Sequence, residues 1–234
     1  MQIKYKPDKI AFENEVVRRG ITRLVHFTPT INLISIFERG ALLSRSALIQ
    51  LDGILPDLFL RDYIEVNDRL RLDELNNYIN LSIQHPNSWL LRKFRELKKN
   101  QCESWCVIAL SPECIWYADT LFSINNAASS SSKRHGIHGD YAAFCSLFQD
   151  NITGGGANTD KVWTRKNLAD CYPTDGQAEV LVKGTISSSC ITGVYFETKE
   201  EAASTSQAIF LSVSVILPPF IVDNKVFGLN RNYG

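Results

Sequence analysis

The chain has 234 residues, 44% of them apolar, enough to bury the core of one enzyme-sized domain. Its 25 basic and 25 acidic side chains cancel, so no overall field directs it to nucleic acid, and any such interface would have to be a local basic patch. No apolar run approaches the ~20 residues of a membrane helix, and the start Met1-Gln2-Ile3-Lys4-Tyr5-Lys6 is too polar for a signal peptide, so the expected location is cytoplasmic, with no membrane partner.

In chain order, residues 22–27 (Thr-Arg-Leu-Val-His-Phe) read as a short strand. Thr28-Pro29 reads as an N-cap followed by proline at the first helical position. Leu33, Ile34 and Phe37 share a helical face, and Gly40 is placed to end that helix in a left-handed cap. Residues 45–77 mix charged and apolar positions and read as short helices and a loop. Residues 78–83 (Tyr-Ile-Asn-Leu-Ser-Ile) read as a strand, His85-Pro86-Asn87 as a turn and residues 88–99 as a helix with Leu90, Phe94 and Leu97 in its apolar stripe. That leaves Arg92, Lys93, Arg95, Lys98 and Lys99 facing outward, as a solvated face or a strip for a polyanion.

Residues 105–110 (Trp-Cys-Val-Ile-Ala-Leu) have the composition of a buried strand, residues 141–149 read as helical, and residues 150–170 form a polar stretch. Two more strands are expected at residues 191–197 and 209–216. Strands outnumber long helices and irregular segments join them, so the expected class is α+β, a mixed and largely antiparallel fold. No glycine-rich phosphate loop follows a strand, which argues against Rossmann and P-loop nucleotide sites, and Gly154-Gly155-Gly156 reads as a hinge.

Cysteines 102, 106, 114, 145, 171 and 190 form no paired ligand motif and read as reduced core residues. The stretch from His135 to Asp140 follows Ser129–Ser132 and Lys133-Arg134 and reads as a polar loop. No metal is expected.

Three groups of residues carry chemistry. In Pro173-Thr174-Asp175-Gly176-Gln177-Ala178-Glu179-Val180-Leu181-Val182, turn residues lead into a strand, and alternation sends Gln177 and Glu179 to one face and Ala178 and Val180 to the other. Glu179, expected to stand exposed in a cleft, is a carboxylate placed to meet a positive charge that develops in a substrate. His26-Phe27-Thr28 puts an imidazole and a hydroxyl on one side of a strand end, suited to a ribose or a carboxamide, though also to a structural histidine beside a cap. Asn67-Asp68-Arg69-Leu70-Arg71-Leu72-Asp73 reads as a solvated charged segment, or as an arginine gripping phosphate or a polar base edge.

Taken in this order the motifs resemble the DarT family of DNA ADP-ribosyltransferases, the toxins of bacterial toxin–antitoxin pairs. The resemblance runs through His26-Phe27-Thr28 with Asn32-Leu33, Ile36, Gly40 and Leu42-Leu43, then Asp68 with Arg71-Leu72-Asp73. It continues through Leu81-Ser82-Ile83 with Pro86-Asn87, Asn126-Ala127-Ala128, and Thr174-Asp175 with Gln177-Ala178-Glu179. It implies the ADP-ribosyltransferase fold of PARPs and diphtheria toxin, with a split, mostly antiparallel sheet in one domain over residues 1–234.

It also implies cleavage of the nicotinamide–ribose bond of NAD and transfer of ADP-ribose to a base in single-stranded DNA, without a metal, and a cognate antitoxin that removes the ADP-ribose. By motif, Glu179 is the catalytic glutamate, Arg71 or Arg69 the catalytic arginine, and residues 164–176 the loop that recognises the substrate. His26, Phe27 and Thr28, with Ser35 and Leu43, would line the NAD pocket. Lys161, Trp163, Arg165 and Lys166, beside that loop, are the candidates for holding DNA, Trp163 by stacking on a base or by anchoring the loop. Thymidine-modifying members carry a Pro/Gly-rich segment and an aromatic-rich strand after the arginine. Here Arg71-Leu72-Asp73 runs almost directly into residues 78–86, closer to the guanosine-modifying branch, with thymidine the alternative target. Transfer to RNA or protein, bare NAD hydrolysis, and a non-catalytic nucleic-acid-binding module are the rival readings.

Overall fold

The computed structural model describes residues 3–52, 75–97, 104–153 and 162–229. Its elements are α1 (Lys9–Arg19), β1 (Leu24–Pro29), α2 (Asn32–Arg39), β2 (Ala41–Leu43), α3 (Arg45–Asp52), β3 (Tyr78–Ile83), α4 (Ser88–Leu97), β4 (Trp105–Leu110) and β5 (Leu121–Ser123). They continue with α5 (Ser130–His135), α6 (Tyr141–Ser146), β6 (Asn151–Thr153), β7 (Val162–Thr164), β8 (Glu179–Lys183), β9 (Thr185–Ser187), β10 (Ile191–Phe196), α7 (Lys199–Ser212) and β11 (Phe220–Val222).

Seven strands form the main sheet in the order β11-β10-β4-β1-β3-β8-β5, and β2–β9 and β6–β7 form separate two-stranded sheets. All neighbours in the main sheet are antiparallel except β10 and β11. Both faces of β4 are covered, which is why its run from Trp105 to Leu110 is buried throughout and shows no polar alternation. The core gathers Leu24, Leu33, Leu81, Ile108, Val180 and Phe196 with the ring cluster Phe12, Phe122 and Phe144, whose centroids lie 5.3–5.8 Å apart.

The sheet is split at its centre. β1 pairs with β4 along all six residues, yet with β3 only at Leu24↔Ile83 and Val25↔Ser82. The first half of β3 turns away and pairs instead with β8, from Tyr78↔Lys183 to Leu81↔Val180. Residues 26–29 of β1 and 78–81 of β3 thus diverge and leave a cleft between them, open to side chains from both faces of the sheet.

Several sequence expectations hold: β3, β4 and β10 fall within a residue of their expected bounds, and Gly40 caps α2 at φ 66°, ψ 21°. Three do not. Thr28 and Pro29 belong to β1, opposite Cys106 and Trp105, and the helix begins at Asn32. Proline is tolerated there because β1 has a partner on one side only, so a missing N–H breaks no ladder toward β3. The first half of the expected strand at residues 209–216 is the end of α7, and the second half forms no strand. Thr198 and Glu201 form a reciprocal capping box at its start, and Ile209 is fully buried while Phe210 and Leu211 are 80% and 76% exposed, the one-sided burial of a helix. On α4, Leu91 is the buried residue, Leu90 and Phe94 are half-buried, and Leu97 is exposed, so the stripe lies one position off the expected one.

Candidate active site

Glu179 opens β8, opposite Ser123 of β5. The turn before it is fastened at each step. Thr174 donates its N–H to the Leu147 carbonyl (2.9 Å) and its hydroxyl to the Gln149 carbonyl (2.5 Å). The buried Asp175 carboxylate accepts from Gln177 N–H at 2.9 Å, and its carbonyl accepts from Ala178 N–H at 3.1 Å, an Asx-type turn. This geometry delivers the strand with its first side chain already aimed.

The Glu179 carboxylate is only 5% exposed, which corrects the expectation of an exposed group. Oε2 accepts from Ala127 N–H (2.9 Å) and from Asn80 Nδ2 (3.2 Å), and Oε1 accepts from Asn126 Nδ2 (3.3 Å). Charge-assisted bonds of this kind fix the carboxylate rotamer more firmly than neutral ones would. The donors are themselves held. Asn126 accepts from Ala128 N–H through Oδ1 (3.0 Å), and its carbonyl accepts from the hydroxyl of the buried Ser132 (2.8 Å).

Asn80 ties the two halves of the site together. Its side chain reaches Glu179, and its carbonyl lies 3.0 Å from His26 Nδ1 across the split. A carbonyl only accepts, so Nδ1 carries the proton. Desolvation lowers the His26 pKa, which keeps the ring neutral and makes Nε2 an acceptor suited to a ribose hydroxyl. Next to it, Phe27 packs with Phe94 and Trp105 at centroid distances of 6.0 and 6.1 Å, and those two rings stack at 6.3 Å. The Thr28 hydroxyl accepts from Asn32 Nδ2 at 2.8 Å.

These residues line one cleft of about 330 Å3, which gathers His26, Phe27, Thr28, Ser35, Leu43 and Glu179 from four separate elements. Arg39 of α2 and Arg45 of α3 also line it, the first donating from Nε to the Ser35 hydroxyl at 3.0 Å. Sequence reading singled out neither arginine, nor Asn80. The alternation of β3 carries the signal for Asn80: Ile79, Leu81 and Ile83 are buried apolar residues, and Tyr78, Asn80 and Ser82 stand between them.

The described residues expected to hold DNA lie elsewhere. Trp163 sits half-buried in β7, opposite Ile152, and Lys166 is exposed; neither they nor Arg165 line the cleft. Arg165 clamps the loop before Glu179, donating to the carbonyls of Tyr172 (2.7 Å) and Ala169 (3.0 Å) and to the Thr174 hydroxyl (3.4 Å), with its guanidinium over the Phe148 ring. Arg69, Arg71 and Lys161, like Lys98 and Lys99, lie outside the described residues. Of the outward cations on α4, Arg95 pairs with Glu197 and Arg92 lies 3.7 Å from Glu96.

Arg165→Met is expected to cost about 1–3 kcal/mol of stability, because it removes the charged donor from a set of bonds that fasten the loop. It should slow base modification while leaving the salt slope of DNA binding unchanged. A slope reduced by about one would instead make Arg165 a phosphate contact.

Cys106, Cys114 and Cys190 are buried, and among the described residues no group of three or more His, Cys, Asp and Glu side chains is placed to hold a metal. No described helix is long and apolar enough to cross a membrane.

A sheet split at its centre, with a fixed glutamate and a neutral histidine joined across the split, agrees with the ADP-ribosyltransferase fold that the motifs imply. Solved structures of this form include a DarT from Thermus sp. 2.9 in complex with NAD+, 13% identical, at TM-score 0.56 over 88% of this chain and 98% of that one. The same Thermus protein with ADP-ribosylated ssDNA, at 12% identity and TM-score 0.54, covers 97% of this chain and 100% of that one. A Thermosipho africanus DarTG in complex with ADP-ribose matches at 18% identity and TM-score 0.50 over 88% of this chain, which spans about half of that longer one (51%). Among curated proteins no sequence match reaches significance. A sequence model of DarT, described as an ssDNA thymidine ADP-ribosyltransferase, matches residues 25–228, and the chain belongs to this DarT family. It is an NAD-dependent ADP-ribosyltransferase that acts on single-stranded DNA, with NAD as co-substrate.

Proposed function

We propose that the chain works as one catalytic unit that transfers ADP-ribose from NAD to guanine in single-stranded DNA, with Glu179 as the catalytic carboxylate, and that it serves as a bacterial toxin opposed by an antitoxin that removes the modification. The observation that carries the catalytic part is the Glu179 carboxylate, buried against the cleft and held by Ala127, Asn80 and Asn126. The bond between the nicotinamide nitrogen and C1′ of its ribose breaks, and its electron pair neutralises the pyridinium. Positive charge then appears on C1′ and the ring oxygen, mainly in the transition state, where a preorganised carboxylate stabilises it without reorganising. A base nitrogen attacks C1′ and loses a proton to solvent or to a nearby base. The products are nicotinamide, the ADP-ribosylated base and that proton.

Positioning supplies much of the remaining rate, because the leaving group is good and the base nitrogen is a weak nucleophile. His26, Phe27, Thr28, Ser35 and Leu43 hold NAD; Arg39 and Arg45, on the same cleft, suit its diphosphate. A base inside a duplex stack is out of reach, which suits a single-stranded substrate. Trp163, Lys166 and Lys161 remain the candidates for gripping the strand. The arginine that orients the base is Arg71, with Arg69 the alternative.

Guanine is favoured by the sequence after Arg71, which lacks the Pro/Gly-rich segment and aromatic-rich strand of thymidine-modifying members; the matching family description names thymidine. The test uses oligonucleotides that each lack one base. Modification of every oligonucleotide except the one without guanine supports the reading; loss only without thymine transfers the assignment to thymidine. In the same assay Arg71→Ala should impair modification more than Arg69→Ala. An ADP-ribosylated RNA or protein with unmodified DNA would replace the DNA reading altogether. The toxin–antitoxin role draws on the family resemblance and on the DarTG chain among the structural matches. Arrested growth on expression of the wild-type chain, but not of Glu179→Gln, tests it.

A further inference from the structure

Asn87 stands at the start of α4, 3% exposed, and lines the cleft. Its Oδ1 accepts from Leu90 N–H at 3.1 Å, the bond of a helix N-cap, and its carbonyl accepts from Leu91 N–H at 2.9 Å. The cap bond fixes which way the amide faces, because only the oxygen can accept it. Nδ2 is therefore turned away from the helix end, shut off from solvent, and has no acceptor among the described residues. A buried amide donor without a partner costs on the order of 1–3 kcal/mol, so a group kept in this state wants an acceptor that arrives with a ligand.

The surroundings say which part of the ligand. Phe27, Phe94, Trp105 and Leu90 line the cleft with Asn87 and make an aromatic, apolar wall for a flat ring. That wall is joined to the catalytic carboxylate by a short chain of contacts, from Glu179 to Asn80 and His26, whose ring lies 6.4 Å from that of Phe27. The ring nearest the bond that breaks is the nicotinamide. In NAD it is a cationic pyridinium, which aromatic faces attract and a neutral adenine does not match in this respect. The two cleft-lining arginines, on α2 and α3, belong to different elements from this wall and suit the diphosphate instead.

We propose that Asn87 is a positioning residue for the leaving group: its Nδ2 donates to the carboxamide oxygen of nicotinamide, while Phe27, Phe94 and Trp105 hold the ring. This rests on the reading of Glu179 given above, since that reading places the nicotinamide at this wall. One residue thereby caps a helix through its oxygen and orients the leaving group through its nitrogen.

Asn87→Ser separates the two roles, because serine caps a helix about as well as asparagine but withdraws the amide donor. The expected result is a Tm no lower than the wild type's, an approximately tenfold weaker inhibition by nicotinamide, and an unchanged Kd for ADP-ribose. In the wild type, thionicotinamide should inhibit less well than nicotinamide, because sulfur accepts poorly; this arm needs no variant. In Asn87→Ser the two should inhibit alike. Nicotinamide inhibition equal to the wild type's, or an ADP-ribose Kd that rises in the same proportion, overturns the proposal. Failure of the Glu179 reading looks different: the wild type would then bind nicotinamide and ADP-ribose yet leave DNA unmodified.

Discussion

Glu179→Gln is expected to lower ADP-ribosyl transfer to DNA by about 10²–10³-fold, with little change in affinity for ADP-ribose. The glutamine is nearly the same shape, and its remaining oxygen can accept from Ala127 N–H as the carboxylate does. It lacks the negative charge, and the charge acts where the ribose turns cationic. The oxygen that accepts from Ala127 also keeps the bond from Asn80, so the amide nitrogen would face Asn126 Nδ2, donor against donor, at a cost of about 1–3 kcal/mol. That is small beside the stability of a domain of this size and is read as a modest fall in Tm. Glu179→Ala is the poorer probe, because it leaves several buried donors without an acceptor. Equal turnover by Glu179→Gln and the wild type would remove Glu179 from the chemistry.

Asn80→Asp should cost about 10–10²-fold at pH 8, and less at pH 6. The substitution sets a second carboxylate where Nδ2 now donates to Glu179 Oε2 at 3.2 Å. Two carboxylates this close resist being ionised together, so one binds a proton as pH falls, and the repulsion that displaces Glu179 fades. The sign follows from that: the variant gains relative to the wild type on acidification. His26 does not reverse it, since desolvation lowers its pKa and so opposes a charge on the ring as pH falls. The Asn80 carbonyl that holds His26 is main chain and survives the change. A variant whose deficit is the same at pH 6 and pH 8 would point to a packing defect rather than to charge at Glu179.

Much of the fold can be read from local composition. β4 and β8 announce themselves by β-branched and aromatic runs, and the cap at Gly40 by the only residue type that takes a left-handed φ without strain. α7 was legible in principle, because Thr198 and Glu201 stand three apart, but the apolar run from Ala208 to Leu211 outweighed them. Thr28-Pro29 misled for a different reason. Whether a proline opens a helix or closes an edge strand depends on where the neighbouring strand stops pairing, a fact of tertiary structure.

The site divides in the same way. Glu179 and His26 stood out because each sits at a strand end beside turn or cap chemistry. Asn80 and Asn126 are ordinary polar residues until the sheet brings them to one carboxylate, across 99 and 53 residues of sequence. No motif marks Arg39 and Arg45, and only the position of their helices brings them to the cleft. Arg165, proposed as a hand for DNA, spends its guanidinium on the loop that precedes Glu179.

The central claim is that Glu179 drives transfer of ADP-ribose from NAD to a base in single-stranded DNA. Intact-mass measurement of a mixed-sequence oligonucleotide, after incubation with NAD and either the wild type or Glu179→Gln, tests it most directly. The account predicts a gain of one ADP-ribosyl unit with the wild type and none over the same time with the variant. An unmodified oligonucleotide with the wild type, or equal modification by both proteins, would contradict it.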